Sequence, residues 1–196
     1  MNASGDPFPA CAELLGRYAE PHRAYHDFKH IQDCLGEFGA ASHLAADKEA
    51  IEMAIWYHDA VYDSRAKDNE EQSADLAEKA GKTAGLPSMF LARVRELILA
   101  TKHVTPPEDM DAALLVDVDL SILGQSAGKF DEYENQIRRE YAWVENEAFR
   151  AGRSTILKSF LQRPSIYWTE FFREKYEKSA RENLARSIAR LQGAPR

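Results

Sequence analysis

The chain has 196 residues, of which 44% are hydrophobic and 29% are charged, and its formal net charge is −7. This composition is typical of one soluble globular domain, here residues 1–196, and excludes a disordered chain. Apolar stretches fall short of the ~20 residues of a membrane-spanning helix, which disfavours membrane insertion. No signal-like segment opens the sequence, which disfavours export. Lys and Arg are scattered and form no basic patch, which disfavours binding to duplex nucleic acid. We therefore expect a cytoplasmic protein in which Cys11 and Cys34 are reduced thiols.

Apolar residues recur at helical spacing along nearly the whole chain, which predicts an all-α fold. Pro21 ends the first helix, Gly85 and Pro87 separate two others, and Pro164 interrupts the C-terminal arm. The predicted helices, with ends placed to within about 2–4 residues, cover 9–20, 27–42, 47–60, 69–85, 87–103, 110–124, 128–150, 153–162 and 165–192.

One segment fits two kinds of secondary structure. Residues 112–120 (AALLVDVDL) alternate in places and are also compatible with a buried strand. The chain has no second strand candidate to pair with it, so we predict a helix. The whole pattern then predicts a helical bundle with a long charged helix at its C-terminal end.

Three histidines follow one another at a spacing of four residues, His22, His26 and His30. On a helix this spacing places at least the last two on the same face. We interpret His22 as a solvated or capping residue. Because His30 is followed by Ile31 and flanked by Phe28, we expect it to be half-buried.

A second cluster of ionisable residues is the pair His58 and Asp59. Ile51, Ala54, Ile55 and His58 fall on one helical stripe, so the imidazole should point toward the core. A core histidine bonded to a backbone carbonyl is the simplest explanation of His58 alone. A buried carboxylate beside it costs several kcal/mol without a partner, and this favours a bound cation.

Two aspartates, Asp117 and Asp119, interrupt an apolar run. Two residues apart on a helix means about 200° apart, so they cannot both face one point. Asp119 has Leu115 before it and Ile122 and Leu123 after it, which places it nearer the apolar stripe. We therefore prefer Asp119 as a metal ligand and keep Asp117 as the alternative.

Together these clusters supply two imidazole nitrogens and two carboxylate oxygens. Such a mixed set suits Mn²⁺, Fe²⁺, Zn²⁺, Ni²⁺ or Co²⁺ better than the all-oxygen shells of Ca²⁺.

The order His, His-Asp, Asp resembles that of the HD superfamily of metal-dependent phosphohydrolases. More narrowly, the chain is similar to a bacterial family of predicted HD phosphohydrolases, from about Tyr18 through the C-terminal arm. The segments that carry this similarity are YHDFKHI, AIWYHDAVYD, DNEEQSA, LILATKH, LLVDVDLSILG, IRREYAWV and AGRSTILKSFL.

The resemblance implies an HD-domain-like helical bundle that holds one divalent ion (Mn, Fe, Ni, Co, Zn or Mg). The ligands it implies are His30, His58, Asp59 and Asp119, with Asp117 as the alternative last ligand.

Many HD enzymes also carry an acidic pair three and four residues after the HD aspartate. Here those positions are Tyr62 and Asp63, so only the second acid is kept. Asp63 could orient or deprotonate the attacking water, or serve only as a turn residue. Binuclear relatives insert two further histidines before the last aspartate, and this chain has only His103 there, which favours one metal. We expect His103 to contact substrate phosphate or to donate a proton.

The sequence thus predicts hydrolysis of a small phosphorylated substrate, with a nucleotide as the expected class, by attack of metal-generated hydroxide on phosphorus. The candidate phosphate-binding cations are Lys29, Arg23 and Lys102, with Arg65 and Lys67 as further choices, although each is also explained as a solvated charge. Two alternatives stay open, a non-catalytic metal-stabilised binding module and an HD-type iron oxygenase. A homodimer is compatible with the sequence.

Overall fold

The computed structural model describes residues 8–193, and the regular secondary structure of these residues is entirely helical. The all-α prediction is confirmed for this part of the chain, and so is the helix predicted over residues 112–120. The α-helices are α1 (Phe8–Tyr18), α2 (Phe28–Ala41), α3 (Lys48–Tyr57), α4 (Asn69–Thr83), α5 (Ser88–Ala100), α6 (Met110–Asp119), α7 (Ala127–Glu140), α8 (Asn146–Leu161) and α9 (Glu170–Leu191), and two 3₁₀ turns cover Ser42–Leu44 and Leu120–Gly124.

The prediction of one helix over residues 128–150 was wrong. Helix α7 ends at Glu140, and α8 begins at Asn146. Between them Arg138 donates hydrogen bonds to the carbonyls of Tyr141 and Val144, at 2.6 and 3.0 Å. These bonds replace the helical partners that the two carbonyls would otherwise have. The spacing of apolar residues does not predict such side-chain hydrogen bonds.

The last helix begins at Glu170, five residues after the predicted start at residue 165. Thr169 caps it by accepting a hydrogen bond from the backbone N–H of Phe172. The preceding turn is stabilised by Glu177, which accepts from the backbone N–H groups of Ile166 and Tyr167. The long C-terminal helix is confirmed.

The chain divides into two compact units, residues 1–118 and residues 119–196, and the division falls at the last residue of α6. The expectation of a single domain stays a prediction. In the first unit α3, α4 and α5 pack on one another, and α2 packs on α3. Fully buried side chains fill this core: Ile31, Ile51, Ile55, Leu97, Ile98 and Leu114.

Helix α6 is buried on every side. All eight residues from Asp111 to Val118 are buried, as expected for a helix that is apolar all round. Asp111 accepts hydrogen bonds from the backbone N–H groups of Ala46 and Asp47, at 2.8 and 3.0 Å, and so ties the start of α3 to the start of α6.

In the second unit α9 packs against α8 and against the 3₁₀ turn Leu120–Gly124. A Cβ atom at Gly124 would lie 2.4 Å from the Cβ of Tyr176, so the close approach of this turn to α9 requires glycine. Asn183 holds the same turn by donating to the carbonyls of Leu123 and Gln125. Within residues 8–193, every helix is too short or too polar to cross a bilayer.

Candidate metal centre

His30 lies at the start of α2 and His58 directly after the end of α3, and both belong to the first unit. Asp27 caps α2 by accepting from the backbone N–H groups of Lys29 and His30, so His30 lies in the first turn. His58 follows the last residue of α3 and keeps a helical bond from its N–H to the carbonyl of Ala54. Helix α3 therefore ends three residues earlier than predicted. Both histidines are buried, with 4% and 2% of their surface exposed.

The side chains of these residues converge with Asp59. The Nε2 atoms of His30 and His58 are 3.2 Å apart. The Oδ2 atom of Asp59 lies 3.4 Å from His30 Nε2 and 3.1 Å from His58 Nε2. Three potential metal ligands from two distant parts of the sequence thus face one point.

Asp119 forms a second group of three with the same two histidines. One ligand atom from each of His30, His58 and Asp119 lies within 4.8 Å of the others, so these residues can hold a metal ion. Asp119 is the last residue of α6, and the other nine residues of that helix belong to the first unit. Of the two aspartates left open by the sequence, Asp119 is in the group, whereas Asp117 is fully buried in α6 and is not part of it.

The distances between the donor atoms fit a divalent ion. Ligand bonds of about 2.0–2.2 Å give neighbouring donor atoms about 2.8–3.6 Å apart in octahedral or tetrahedral geometry. The three separations among His30, His58 and Asp59, from 3.1 to 3.4 Å, lie in this range.

The tautomer of His58 also fits metal binding. Its Nδ1 lies 2.9 Å from the carbonyl oxygen of Ile55, and because a carbonyl only accepts, Nδ1 must carry the proton. In the neutral ring Nε2 then presents its lone pair to His30 and to the Asp59 carboxylate. Metal-binding histidines commonly have this arrangement, in which a backbone carbonyl fixes the tautomer.

Burial raises the pKa of the Asp59 carboxyl, but electrostatic interactions with the His58 and His26 imidazoles and hydrogen bonding with His30 and His58 outweigh it. The net effect holds the pKa of Asp59 well below its usual range. Asp59 is therefore ionised at neutral pH, as a metal ligand must be.

Aromatic rings and a thiol surround the histidines. The ring of Tyr25 lies 4.8 Å from that of His30, and His26 stacks on Tyr62 with 4.1 Å between ring centroids. His26 precedes α2, so helical spacing does not bring it near His30 as predicted, yet their centroids are only 6.1 Å apart. The buried sulfur of Cys34 lies 3.7 Å from both ring nitrogens of His30.

The predicted catalytic residues lie on loops outside this close group. Asp63 is exposed and accepts a hydrogen bond from the backbone N–H of Arg65, at 2.9 Å, while Asn69 bonds its backbone. His103 is half-buried after α5 and has a φ of 57°. A left-handed backbone is uncommon for a residue other than glycine.

The predicted phosphate-binding cations differ in accessibility. Lys29 is exposed and pairs with Asp33 at 2.5 Å, whereas Lys102 pairs with Glu71 at 2.5 Å. The side chain of Arg23 has no exposed surface. Its three guanidinium nitrogens all donate to protein acceptors, an arrangement that favours a positioning role over direct substrate binding.

The second unit contains a groove of about 830 Å³ lined by residues of α7, α8 and α9. Its acidic residues are paired inside the same unit: Asp131 with Arg186 and Arg190, and Glu134 with Arg153. Of the arginines that line the groove, Arg190 pairs with Asp131, whereas Arg138 and Arg150 donate to backbone carbonyls.

The structure brings His30 and His58 close to Asp59 and also groups them with Asp119. The hydrogen bonds of Arg23 could not be predicted, because backbone carbonyls as partners leave no sequence pattern. No family model, curated protein or solved structure matches the chain. The functional conclusion therefore depends on the chemistry of the site itself.

Proposed function

We propose that this chain is a metal-dependent phosphohydrolase with an HD-domain-like fold, acting on a small phosphorylated substrate, with a nucleotide as the expected class. The observation that carries the proposal is that two aspartates lie beside the His30 and His58 pair. Asp59 is within 3.4 Å of both Nε2 atoms, and Asp119 has a ligand atom within 4.8 Å of both histidines. Their order along the chain is that of the HD phosphohydrolases.

The four residues would hold one divalent ion. When bound, such an ion polarises a phosphoryl oxygen and lowers the pKa of a coordinated water toward about 7. The bond from His58 Nδ1 to the Ile55 carbonyl keeps the opposite nitrogen ready to ligate. The low pKa of Asp59 keeps its carboxylate charged throughout the neutral range.

Asp63 is proposed to orient the attacking water and to accept its proton. Its carboxylate receives a single hydrogen bond, from Arg65, which leaves oxygen lone pairs for a water. His103 is proposed to donate a proton to the leaving group. The support for His103 is its left-handed backbone, since strained positions of this kind cluster at functional sites.

Lys102 and Lys29 are proposed to bind substrate phosphate. Each now pairs with one carboxylate, Glu71 or Asp33. Exposed pairs of this type are weak, so a phosphate dianion can displace the carboxylate at little cost. Arg23 is left out of this role because protein groups already occupy its guanidinium.

The proposal is tested by loading metal-free protein separately with Mn²⁺, Co²⁺, Ni²⁺ and Mg²⁺ and measuring phosphate release from nucleotides and simple phosphomonoesters. We expect release with at least one metal, and its loss in His58→Gln. Glu52→Gln, which changes an exposed acid on α3, is the matched control and should keep activity.

A chain that binds metal but releases phosphate from no substrate would favour the non-catalytic module instead. Two irons per chain together with oxygen consumption would favour the oxygenase.

A further inference from the structure

Arg23 is a buried cation in the segment between α1 and α2. Only 8% of the residue is exposed, and its side chain has no exposed surface. Burying a charge is unfavourable unless several groups compensate it. The hydrogen-bond partners of Arg23 therefore indicate its role in the structure.

One carboxylate and three backbone carbonyls compensate this charge. Nε donates to Glu20 at 3.0 Å. Nη1 donates to the carbonyls of Asp59 and His26, at 2.7 and 2.9 Å, and Nη2 donates to the carbonyl of Ala60 at 3.0 Å. The rings of Tyr18 and Tyr62 lie 5.3 and 5.6 Å from the guanidinium carbon, within cation–π range.

These acceptors belong to the two segments that carry the candidate ligands. His26 precedes His30 by four residues, and Asp59 is itself in the close group. The carbonyls of Asp59 and Ala60 follow the end of α3, where helical partners run out. The guanidinium of Arg23 thus links the segment before α2 to the segment after α3.

We propose that Arg23 is a positioning residue of the metal centre, fixing the backbone of Asp59 so that its carboxylate meets His30 and His58. This inference rests on the proposed metal centre. Arginine donates to the successive carbonyls of Asp59 and Ala60 from two nitrogens held in one rigid plane, whereas lysine has its three N–H donors on one nitrogen of a flexible chain. Ligands need to be held within about 0.5 Å of their productive positions.

The chain offers a matched control in Arg181 of the second unit. Its Nε donates to Glu177, and its two terminal nitrogens donate to three carbonyls, those of Leu161, Arg163 and Pro164. This is the same bonding pattern, with no candidate ligand among the partners. A purely structural arginine should therefore behave like Arg181.

The test compares the full-length wild type, Arg23→Lys and Arg181→Lys, with Co²⁺ as the probe. Co²⁺ affinity is measured by competition with a chelator, coordination geometry by visible absorption, and folding by circular dichroism of the metal-free chains. We expect Arg23→Lys to bind Co²⁺ about 10- to 100-fold more weakly, the usual effect of losing an outer partner of a ligand, and to change the absorption bands. Arg181→Lys should lower only the melting temperature.

Wild-type Co²⁺ affinity and absorption in folded Arg23→Lys would overturn the inference. If Arg23→Lys does not fold, Glu20→Ala takes its place, since it removes only the carboxylate partner of Arg23. Glu20→Ala should still weaken Co²⁺ binding, and unchanged binding would overturn the inference equally. A wild-type chain that binds no Co²⁺ would overturn the metal centre itself, and the inference with it. Hydrolysis plays no part in these measurements, so failure of the proposed reaction remains distinguishable.

Discussion

The Nε2 atoms of His30 and His58 lie 3.2 Å apart, although 28 residues separate the two histidines in the chain. Because the Nδ1 proton of His58 is bonded to the Ile55 carbonyl, the nitrogen that faces His30 presents either a lone pair or a second proton. With the Asp59 carboxylate at the same point, a cation or a proton must lie among these groups. Metal ions and protons therefore compete for this site.

This competition predicts that metal affinity falls as the solution becomes acidic. Asp59 does not take part, because its pKa is held well below the usual range and it stays ionised. Histidine binds a metal only through a deprotonated nitrogen, so protons compete with the metal for His30 and His58. Titration calorimetry in buffers of different ionisation enthalpy should detect proton release on Co²⁺ binding at pH 6. Equal heats in all buffers, with no change in affinity between pH 6 and pH 8, would contradict this prediction.

The two aspartates of α6 are predicted to respond differently to amide substitution. Asp119 is in the close group, so Asp119→Asn should weaken metal binding about 10-fold or more, because it removes the charge of a ligand. Asp117→Asn, two residues away and outside the group, should keep the metal content of the wild type. Elemental analysis of both variants after identical purification checks this. Metal loss in Asp117→Asn with retention in Asp119→Asn would reverse the assignment.

The buried phenol of Tyr57 is predicted to make the folded chain less stable in alkaline solution. Burial is the main cause that raises the pKa of Tyr57 from 10.0 to about 12. The unfolded chain ionises this phenol above pH 10, whereas the folded chain keeps it protonated. The free energy of unfolding should therefore fall between pH 10 and pH 12, by up to about 2.7 kcal/mol.

Urea unfolding at pH 9 and pH 11 tests this contribution. Tyr57→Phe has no phenol to ionise, so its stability should decline less over that interval than the stability of the wild type. An equal decline in both proteins would mean that Tyr57 is not responsible.

Ser73 is predicted to stabilise the loop that follows Asp59. Its fully buried Oγ accepts from the backbone N–H of Val61, at 3.0 Å, and donates to the Val61 carbonyl, at 3.3 Å. Ser73→Ala leaves both backbone groups without this partner and should lower the free energy of unfolding by about 1–3 kcal/mol. Ser159→Ala, at an exposed position on α8, should change it by less than about 0.5 kcal/mol. Denaturant unfolding of the two variants gives the comparison, and equal effects would refute the role of Ser73.

The helices could be predicted because periodicity reflects burial within a helix, but their ends depend on contacts that periodicity omits. Helix α6 was assigned correctly despite its alternating letters, because a single strand has no partner. The break after Glu140 was missed because Arg138 makes it with backbone carbonyls. Local sequence specifies a helix face better than it specifies a helix end.

The candidate ligands could be predicted because each departs from an apolar pattern. His58 and Asp59 directly follow the apolar stripe of α3, and helical phase separates Asp119 from Asp117. Arg23 gave no such signal, since its acceptors are backbone atoms 36 and 37 residues away. The neighbourhood of His26 and Tyr62 was also missed, because it forms in loops rather than on a helix face.

The central claim is that four side chains surround one divalent ion, and anomalous X-ray diffraction from crystals loaded with Co²⁺ tests it most directly. The account predicts one anomalous peak per chain, about 2.0–2.2 Å from Nε2 of His30, Nε2 of His58 and carboxylate oxygens of Asp59 and Asp119. A map with no peak among these atoms, or with the peak elsewhere in the chain, would contradict it.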